Sequence, residues 1–259
     1  MMINIASLIG KSGISIAYKV GFAFMFIFAA ISSIFAFPVY YRNIVQQIIF
    51  IGFYSLPVVA LTTFFSGGVL ALQSYIGFSR FAAESAIPNV VVLSITRELG
   101  PVLTGLMVAG RVGASIAAEI ATMRVTEQID ALYTLSTDPI RYLVFPRILS
   151  ATIMLPCLVL IGDVLGVMGG YAISVYTLDF NSSSYIINTI KFLHFDDVIS
   201  GLIKSAVFGF IITTISCYNG YYSEKGAKGV GKATTSSVVI SSILILSSDY
   251  IMTSLFFDK

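Results

Sequence analysis

The chain has 259 residues, 57% of them apolar and only 11% charged, with no Trp and a formal net charge of +2. Soluble domains carry about 25% charged residues, so this composition excludes one and indicates an integral membrane protein. The small net charge argues against nucleic acid as a partner.

Several long uncharged runs make the chain polytopic. An all-α fold is expected, because strands of about 10 alternating residues would not give uninterrupted apolar stretches. Met1 to Lys19 carries only Lys11 and Lys19 as charges, and Val20 to Tyr41 is uncharged and long enough to span. That run has basic residues on both flanks, Lys11 and Lys19 before it and Arg42 after it, whereas the cytoplasmic preference of Lys and Arg would place them on one side of a span. Residues 1–42 are therefore read as an interfacial region, its apolar run lying in the interface or dipping in and out, ahead of a five-span core at 43–259, the whole forming one domain. No small-residue cleavage site follows the run, so no cleavable signal peptide is expected.

Asn43 to Ser79 is uncharged over 37 residues. As one helix it would extend about 55 Å against a hydrocarbon core of about 30 Å, so only part can span, from near Pro57 to Phe78. The second span, about Val90 to Ala117, carries Arg97, Glu98 and Arg111. An amphipathic helix over Glu119 to Leu135 is expected next, stopping at Asp138-Pro139. Val125, Ile129, Leu132 and Leu135 fall on one side of it, with Arg124, Glu127, Gln128 and Asp130 mostly elsewhere. Such an element suits a membrane surface and a soluble partner.

Ile148 to Leu178 forms a third span, with Asp163 its only charge and Gly162, Gly166, Gly169 and Gly170 as a small-residue packing face. Asp179 to Asp197 reads as a polar loop containing His194, which Asp196 and Asp197 could make mildly pH-sensitive. Val198 to Ser223 is the fourth span, with Lys204 inside it, and Ala233 to Phe257, containing Asp249, is the last. Between them lies a loop with Lys225, Lys228 and Lys232. The basic segments are satisfied by five spans with the N-terminus and both basic loops in the cytoplasm and the C-terminus outside.

A lone charge at mid-membrane costs about 2.5 to 3.5 kcal/mol, so Arg97, Glu98, Lys204 and Asp249 are expected to face a cavity or one another. Two are cationic and two anionic, which allows a neutral network. That network could meet a phosphate headgroup through Arg97 or Lys204, or could only hold helices together. Asp163 is isolated and is read as packing structurally. GAKGVGKA, Gly226 to Ala233, nearly fits a phosphate-cradling pattern but ends in Ala233 where a hydroxyl is required and follows no strand. It is read as a flexible basic loop, so the chain does not bind ATP by itself. Asn181-Ser182-Ser183 fits a glycosylation pattern that has meaning only in a secretory-pathway protein. Cys157 and Cys217 read as small hydrophobes within helices. With one His and no Ser-His-Asp, paired-carboxylate or Cys/His set at workable spacing, no catalytic residue, metal or cofactor is expected.

RELGPVLTGLMVAGRVGASIAAEIATMRVTEQIDAL, followed by DPIRYLVFPR, resembles the signature of the MlaE/YrbE permeases, membrane subunits of lipid-transporting ABC systems associated with MCE proteins. Further likeness runs through LIKSAVFGF (Leu202 to Phe210), NGYY (Asn219 to Tyr222) and GVGKATTSSVVISS leading to SSDYIMTSLFF, and covers about Pro57 to Phe257. The region before Pro57 and the loop after Asn219 follow the family more loosely. The resemblance implies a homodimer in a bacterial inner membrane, each copy with an interfacial helix and five spans. It implies a cytoplasmic ABC ATPase docked on a coupling helix at 119–135 through Glu119, Met123, Arg124, Glu127, Gln128, Asp130 and Leu132. A periplasmic MCE-domain lipid-binding protein and a small STAS-type accessory protein would be further partners. The cargo would be phospholipid, moved for outer-membrane lipid homeostasis, along a path lined by Leu70, Gln73, Ser74, Phe78 and Leu99 beside Arg97, Glu98, Lys204 and Asp249.

An ion-coupled secondary transporter could use the same charges as a relay. It would need no docking helix, and its uptake would persist without an ATPase. An intramembrane lipid enzyme lacks a nucleophile and base.

Overall fold

A computed structural model describes residues 40–81 and 83–257, with residues 14, 18, 21–22 and 24–32 before them. Among the described residues there are helices and no strand. Five helices are long and apolar enough to cross a membrane: α1 (Tyr41–Phe78), α2 (Glu84–Val125), α4 (Ile140–Tyr176), α6 (Phe195–Tyr221) and α7 (Ala227–Phe256). Short helices α3 (Gln128–Thr134) and α5 (Ser182–Phe192) lie at opposite ends of the bundle. The five-span, all-α architecture expected from the hydropathy is the one observed.

Prolines set where the long helices bend. Pro57 has no N–H to give to the Phe53 carbonyl, and α1 breaks there into Tyr41–Ile51 and Leu56–Phe78 around a single turn at Phe53–Ser55. In α2, Pro101 likewise cannot serve the carbonyl of Arg97, and the preceding turn, Ile95–Leu99, widens to a π-turn. Pro146 does the same to Tyr142 in α4, after the π-turn Ile140–Val144. The stranded Tyr142 carbonyl takes a hydrogen bond from Asn43 Nδ2 of α1 at 3.4 Å.

Glycines bring the helices into main-chain contact. A Cβ on Gly67 of α1 would overlap the carbonyl of Gly166 in α4, and one on Gly169 would overlap the carbonyl of Phe64. Helix α6 is the centre of the bundle, packed against α2, α4 and α7. Its buried hydroxyls turn back on their own helix, Thr213 Oγ1 donating to Gly209 O at 2.7 Å and Ser216 Oγ to Ile212 O at 2.6 Å. Ser216 also meets Ser237 of α7 at 2.7 Å.

Contacts sort the helix ends into two groups. Glu119 at the end of α2 pairs with Arg147 near the start of α4, Ser150 of α4 donates to Ile44 O near the start of α1, and Tyr133 of α3 meets Tyr221 at the end of α6. These ends, with the start of α7, form one face; α5, the start of α2 and the start of α6 form the other. Of the expected interfacial segment 1–42, residues 24–32 are described and helical, with Phe26 buried against Tyr218, Tyr221 and Tyr222 on the α3 face. Tyr41 and Arg42 already belong to α1, and the rest of that segment lies outside the described residues, apart from residues 14, 18, 21–22 and 40.

Three expectations need correction. The amphipathic helix read over Glu119 to Leu135 is not one helix: α2 runs on to Val125, Glu127 takes a left-handed φ of 60°, and α3 starts afresh at Gln128. Two β-branched residues, Val125 and Thr126, precede that turn, and Thr126 Oγ1 bonds back to Thr122 O at 2.9 Å. The loop read over Asp179 to Asp197 contains α5, started by Asn181, whose Oδ1 accepts from the Ser184 N–H at 3.0 Å. Most of GAKGVGKA is the first turns of α7, not a loop, with Gly226 at φ +87° just ahead.

The α1–α4 contact gives a direct test. Gly67→Ala is expected to destabilise the protein in detergent by about 3 kcal/mol, since main chain cannot move aside. Gly77→Ala, with open space around it, should stay within about 0.5 kcal/mol of the parent.

Candidate functional site

Of the four intramembrane charges singled out from the sequence, Glu98, Lys204 and Asp249 meet at the π-turn of α2, to which Arg97 gives only its main-chain carbonyl. Lys204 Nζ, fully buried, donates to Glu98 Oε1 at 2.9 Å, to the Arg97 carbonyl at 3.0 Å and to Thr253 Oγ1 at 2.6 Å. Asp249 Oδ1 lies 3.1 Å from the same nitrogen, off the line of a hydrogen bond. Thr253 Oγ1 in turn lies 3.0 Å from Glu98 Oε1 and donates to the Asp249 carbonyl at 2.9 Å. The carbonyl that Pro101 leaves without a donor is the one Lys204 takes. One ammonium thus closes a backbone gap in α2 and joins α2, α6 and α7.

Arg97 turns the other way. Its Nε lies 2.7 Å, and its Nη2 2.6 Å, from Oδ1 of Asp197, in the first turn of α6. The other carboxylate oxygen of Asp197 accepts the His194 main-chain N–H at 3.2 Å, so Asp197 is engaged by Arg97 and by the helix start together. Asp197 therefore belongs to the network, and His194 is the residue that caps α6. The formal sum is two cations against three carboxylates, one negative charge more than the neutral set expected.

Burial divides these side chains. Lys204 has no exposed surface and is a tie between helices, whereas Arg97 and Glu98 keep 34% and 37% of theirs. The network is thus sealed toward α6 and open on the outside of this chain. Hydrocarbon cannot solvate that opening.

Beside it, Leu70, Phe78 and Leu99 pack round a buried cluster of Ala71, Ile87, Val91 and Ile95. Ser74 is half-buried and Gln73 exposed on the same stretch of α1. Asp163 is buried against Gly100, where any Cβ would collide with its Oδ1.

At the α3 face, Ile129 is fully buried, and Met123 and Leu132 pack on the main core. Glu127, Gln128 and Asp130 are exposed, with Arg124 bonded to Asp130 at 2.7 Å. Glu119 is held by Arg147, which is 4% exposed and also donates to Leu143 O at 2.7 Å. Tyr133 and Leu135, 54% and 73% exposed, leave an apolar tip uncovered on this chain.

Sequence reasoning missed Thr253, Asp197 and the anchoring role of Arg111. Thr253 lies four residues after Asp249 and Asp197 seven before Lys204, so each shares a helical face with a residue already marked. Arg111, in the second π-turn of α2, donates to Ser55 Oγ at 2.7 Å and covers the Phe50 ring, pinning the break in α1. No periodicity marks that contact.

Fold and network define a multi-pass helical membrane protein with a charged site inside its spans. The chain belongs to the MlaE permease family, whose sequence model, Permease MlaE, matches residues 44–255. It is 70% identical over 257 residues, 99% of either chain, to a probable ABC transporter permease protein of Rickettsia conorii. Identity to a probable ABC transporter permease protein of Synechocystis is 43% over 217 residues, 84% of this chain and 82% of the relative. To the intermembrane phospholipid transport system permease protein MlaE of Haemophilus influenzae it is 33% over 260 residues, 99% of either chain.

Replacing Lys204 by Met should destabilise the protein by about 3 to 5 kcal/mol in detergent unfolding, because two carboxylates lose their counter-charge. Adding Glu98→Gln and Asp249→Asn should recover much of that loss. Equal stability of the single variant and the parent would contradict a tie at Lys204.

Proposed function

We propose that this chain is the permease subunit of an ABC transporter that moves phospholipid between a bacterial inner membrane and a periplasmic MCE-domain partner, serving outer-membrane lipid homeostasis. The observation that carries the reading is the one-sided opening of the Lys204 network. Charges sealed toward α6 and exposed on the outside of the chain suit the wall of a chamber closed by a second copy. Leu70, Phe78 and Leu99 supply an apolar lining next to Arg97 and Glu98, with the polar Gln73 and Ser74 beside them, as a lipid with a charged head and greasy tails requires.

The same chain performs no bond chemistry. ATP is hydrolysed by a separate cytoplasmic subunit, which grips α3 and the end of α2. The exposed Tyr133, Leu135, Gln128 and Asp130 suit that contact, and the buried Ile129 with the Glu119–Arg147 pair makes it a lever joined to α2 and α4. A STAS-type accessory protein completes the cytoplasmic side. Orientation follows the basic segments, with the α3 face cytoplasmic and the C-terminus periplasmic. Energy then enters as the difference in ATPase affinity between two states of the dimer. An ion-coupled carrier would use the network without α3.

Two measurements check this. Glu98→Ala and Asp249→Ala should each lower lipid transfer at least about tenfold, the effect of roughly 1.4 kcal/mol, while the ATPase still co-purifies; wild-type transfer by both would refute a role for the charges in transport. Gln128→Cys, in a background lacking Cys157 and Cys217, should react with an impermeant thiol reagent only from the cytoplasmic side, and labelling from outside would overturn the orientation.

A further inference from the structure

At the α3 face, the last turns of α6 and the first turns of α7 diverge around a cleft of about 530 Å³. It lies at the opposite end of α6 from Lys204. Ile215 and Ile240 line it at depth, while Asn219, Tyr222, Ser223 and Lys232 line it toward the loop. The cleft therefore passes from apolar to polar along the membrane normal, as a phospholipid does from its chains to its headgroup.

Charge selects among headgroups. Over residues 224–232, the turn before α7 and its first turns, Lys225, Lys228 and Lys232 stand against a single carboxylate, Glu224, which also lines the cleft, so two positive charges are left over. Glu224 is ion-paired with Lys232. Lys232, and at longer range Lys228, hold its carboxyl below the usual range, so it stays ionised through the physiological pH range. Ser223 Oγ is buried without a hydrogen-bond partner. Basic pockets between membrane helices on the cytoplasmic side are suited to anionic lipid headgroups.

We propose that this cleft binds an anionic phospholipid of the cytoplasmic leaflet, its phosphate at Lys232 and Ser223 and its glycerol and chains along Ile215 and Ile240. The lipid would bridge α6 and α7, the two helices that Lys204 joins at the other end. The proposal rests on the orientation given above, which puts this end at the cytoplasm. It concerns a lipid outside the transport chamber.

Since the chain has no Trp, Tyr222→Trp places a lone fluorophore at the rim. Full-length protein is set in nanodiscs of phosphatidylcholine and phosphatidylglycerol, with one or the other brominated. Brominated phosphatidylglycerol is expected to quench at least about five-fold more strongly at equal mole fraction, and removing one positive charge by Lys228→Gln or Lys232→Gln should reduce that preference about five-fold. Millimolar inorganic phosphate should leave it unchanged. Native mass spectra of the protein with Tyr222 intact should lose retained phosphatidylglycerol in the same Lys variants. The proposal is overturned by equal quenching from both lipids, by a preference insensitive to both lysines, or by relief with free phosphate. It is also overturned by no quenching from either, which would mean that the segment carrying Phe22 and Phe26, whose rings meet Tyr222 edge-on, fills the cleft. None of these readouts involves transport, so a failed transfer assay would strike the permease reading and leave the cleft standing.

Discussion

A primary ammonium with no exposed surface, deep in a bundle of apolar helices, is tolerable only if every proton has an oxygen to meet. Lys204 has four oxygens within 3.1 Å, two from the π-turn of α2 and two from α7. One of them exists because Pro101 denies the Arg97 carbonyl its ordinary helical donor. Proline and lysine, about a hundred residues apart, are two halves of a single arrangement. The first widens α2 into a π-turn and exposes a carbonyl, and the second occupies it. The wider turn also delivers Arg97 and Glu98 to different partners, one to the start of α6 and the other to α6 and α7.

The remainder of the bundle is built to hold that turn in place. Main-chain contacts at Gly67 and Gly169 fix α1 on α4, and Arg111 pins the break in α1 to α2. Arg147 clasps the end of α2. Helix α7 has the least internal support of the five spans and is held by the Lys204 cluster, by Ser216 against Ser237 and by Ile245 in the main core. A helix whose outer face leaves Val239, Ile243, Leu246 and Ile251 exposed is suited to packing against a second copy or against lipid, which agrees with the chamber proposed above.

Long-range features were legible in the sequence where a single physical rule governs them. Hydrophobic length and the distribution of Lys and Arg gave five spans, and length alone placed the start of the first span near Pro57, where α1 breaks. The cost of lone charges in hydrocarbon was enough to expect Arg97, Glu98, Lys204 and Asp249 to face a cavity or one another; Glu98, Lys204 and Asp249 meet, and Arg97 pairs with Asp197. Local departures from helix were less legible. The left-handed turn at Glu127 needs no glycine and leaves no periodic trace, so the apolar spacing of Val125, Ile129, Leu132 and Leu135 read as one helix. Asn181 heads α5 within what looked like a polar loop, because its helix is short and half polar. Asp197 looked like a loop acid, since membership of the network depends on how far α6 extends toward its own start. The contact of Arg111 with Ser55 joins two irregular turns, which no repeat in the sequence connects.

The central claim is that the network around Lys204 opens onto a hydrated chamber, not onto hydrocarbon. Glu98→Cys, in a chain whose Cys157 and Cys217 have been replaced, places a thiol at that opening with Asp249 left to balance Lys204. In native membranes it should react with an impermeant thiol reagent added from the periplasmic side, and phospholipid loaded in the chamber should slow the reaction. A thiol that no aqueous reagent reaches from that side, with or without lipid, would contradict the account.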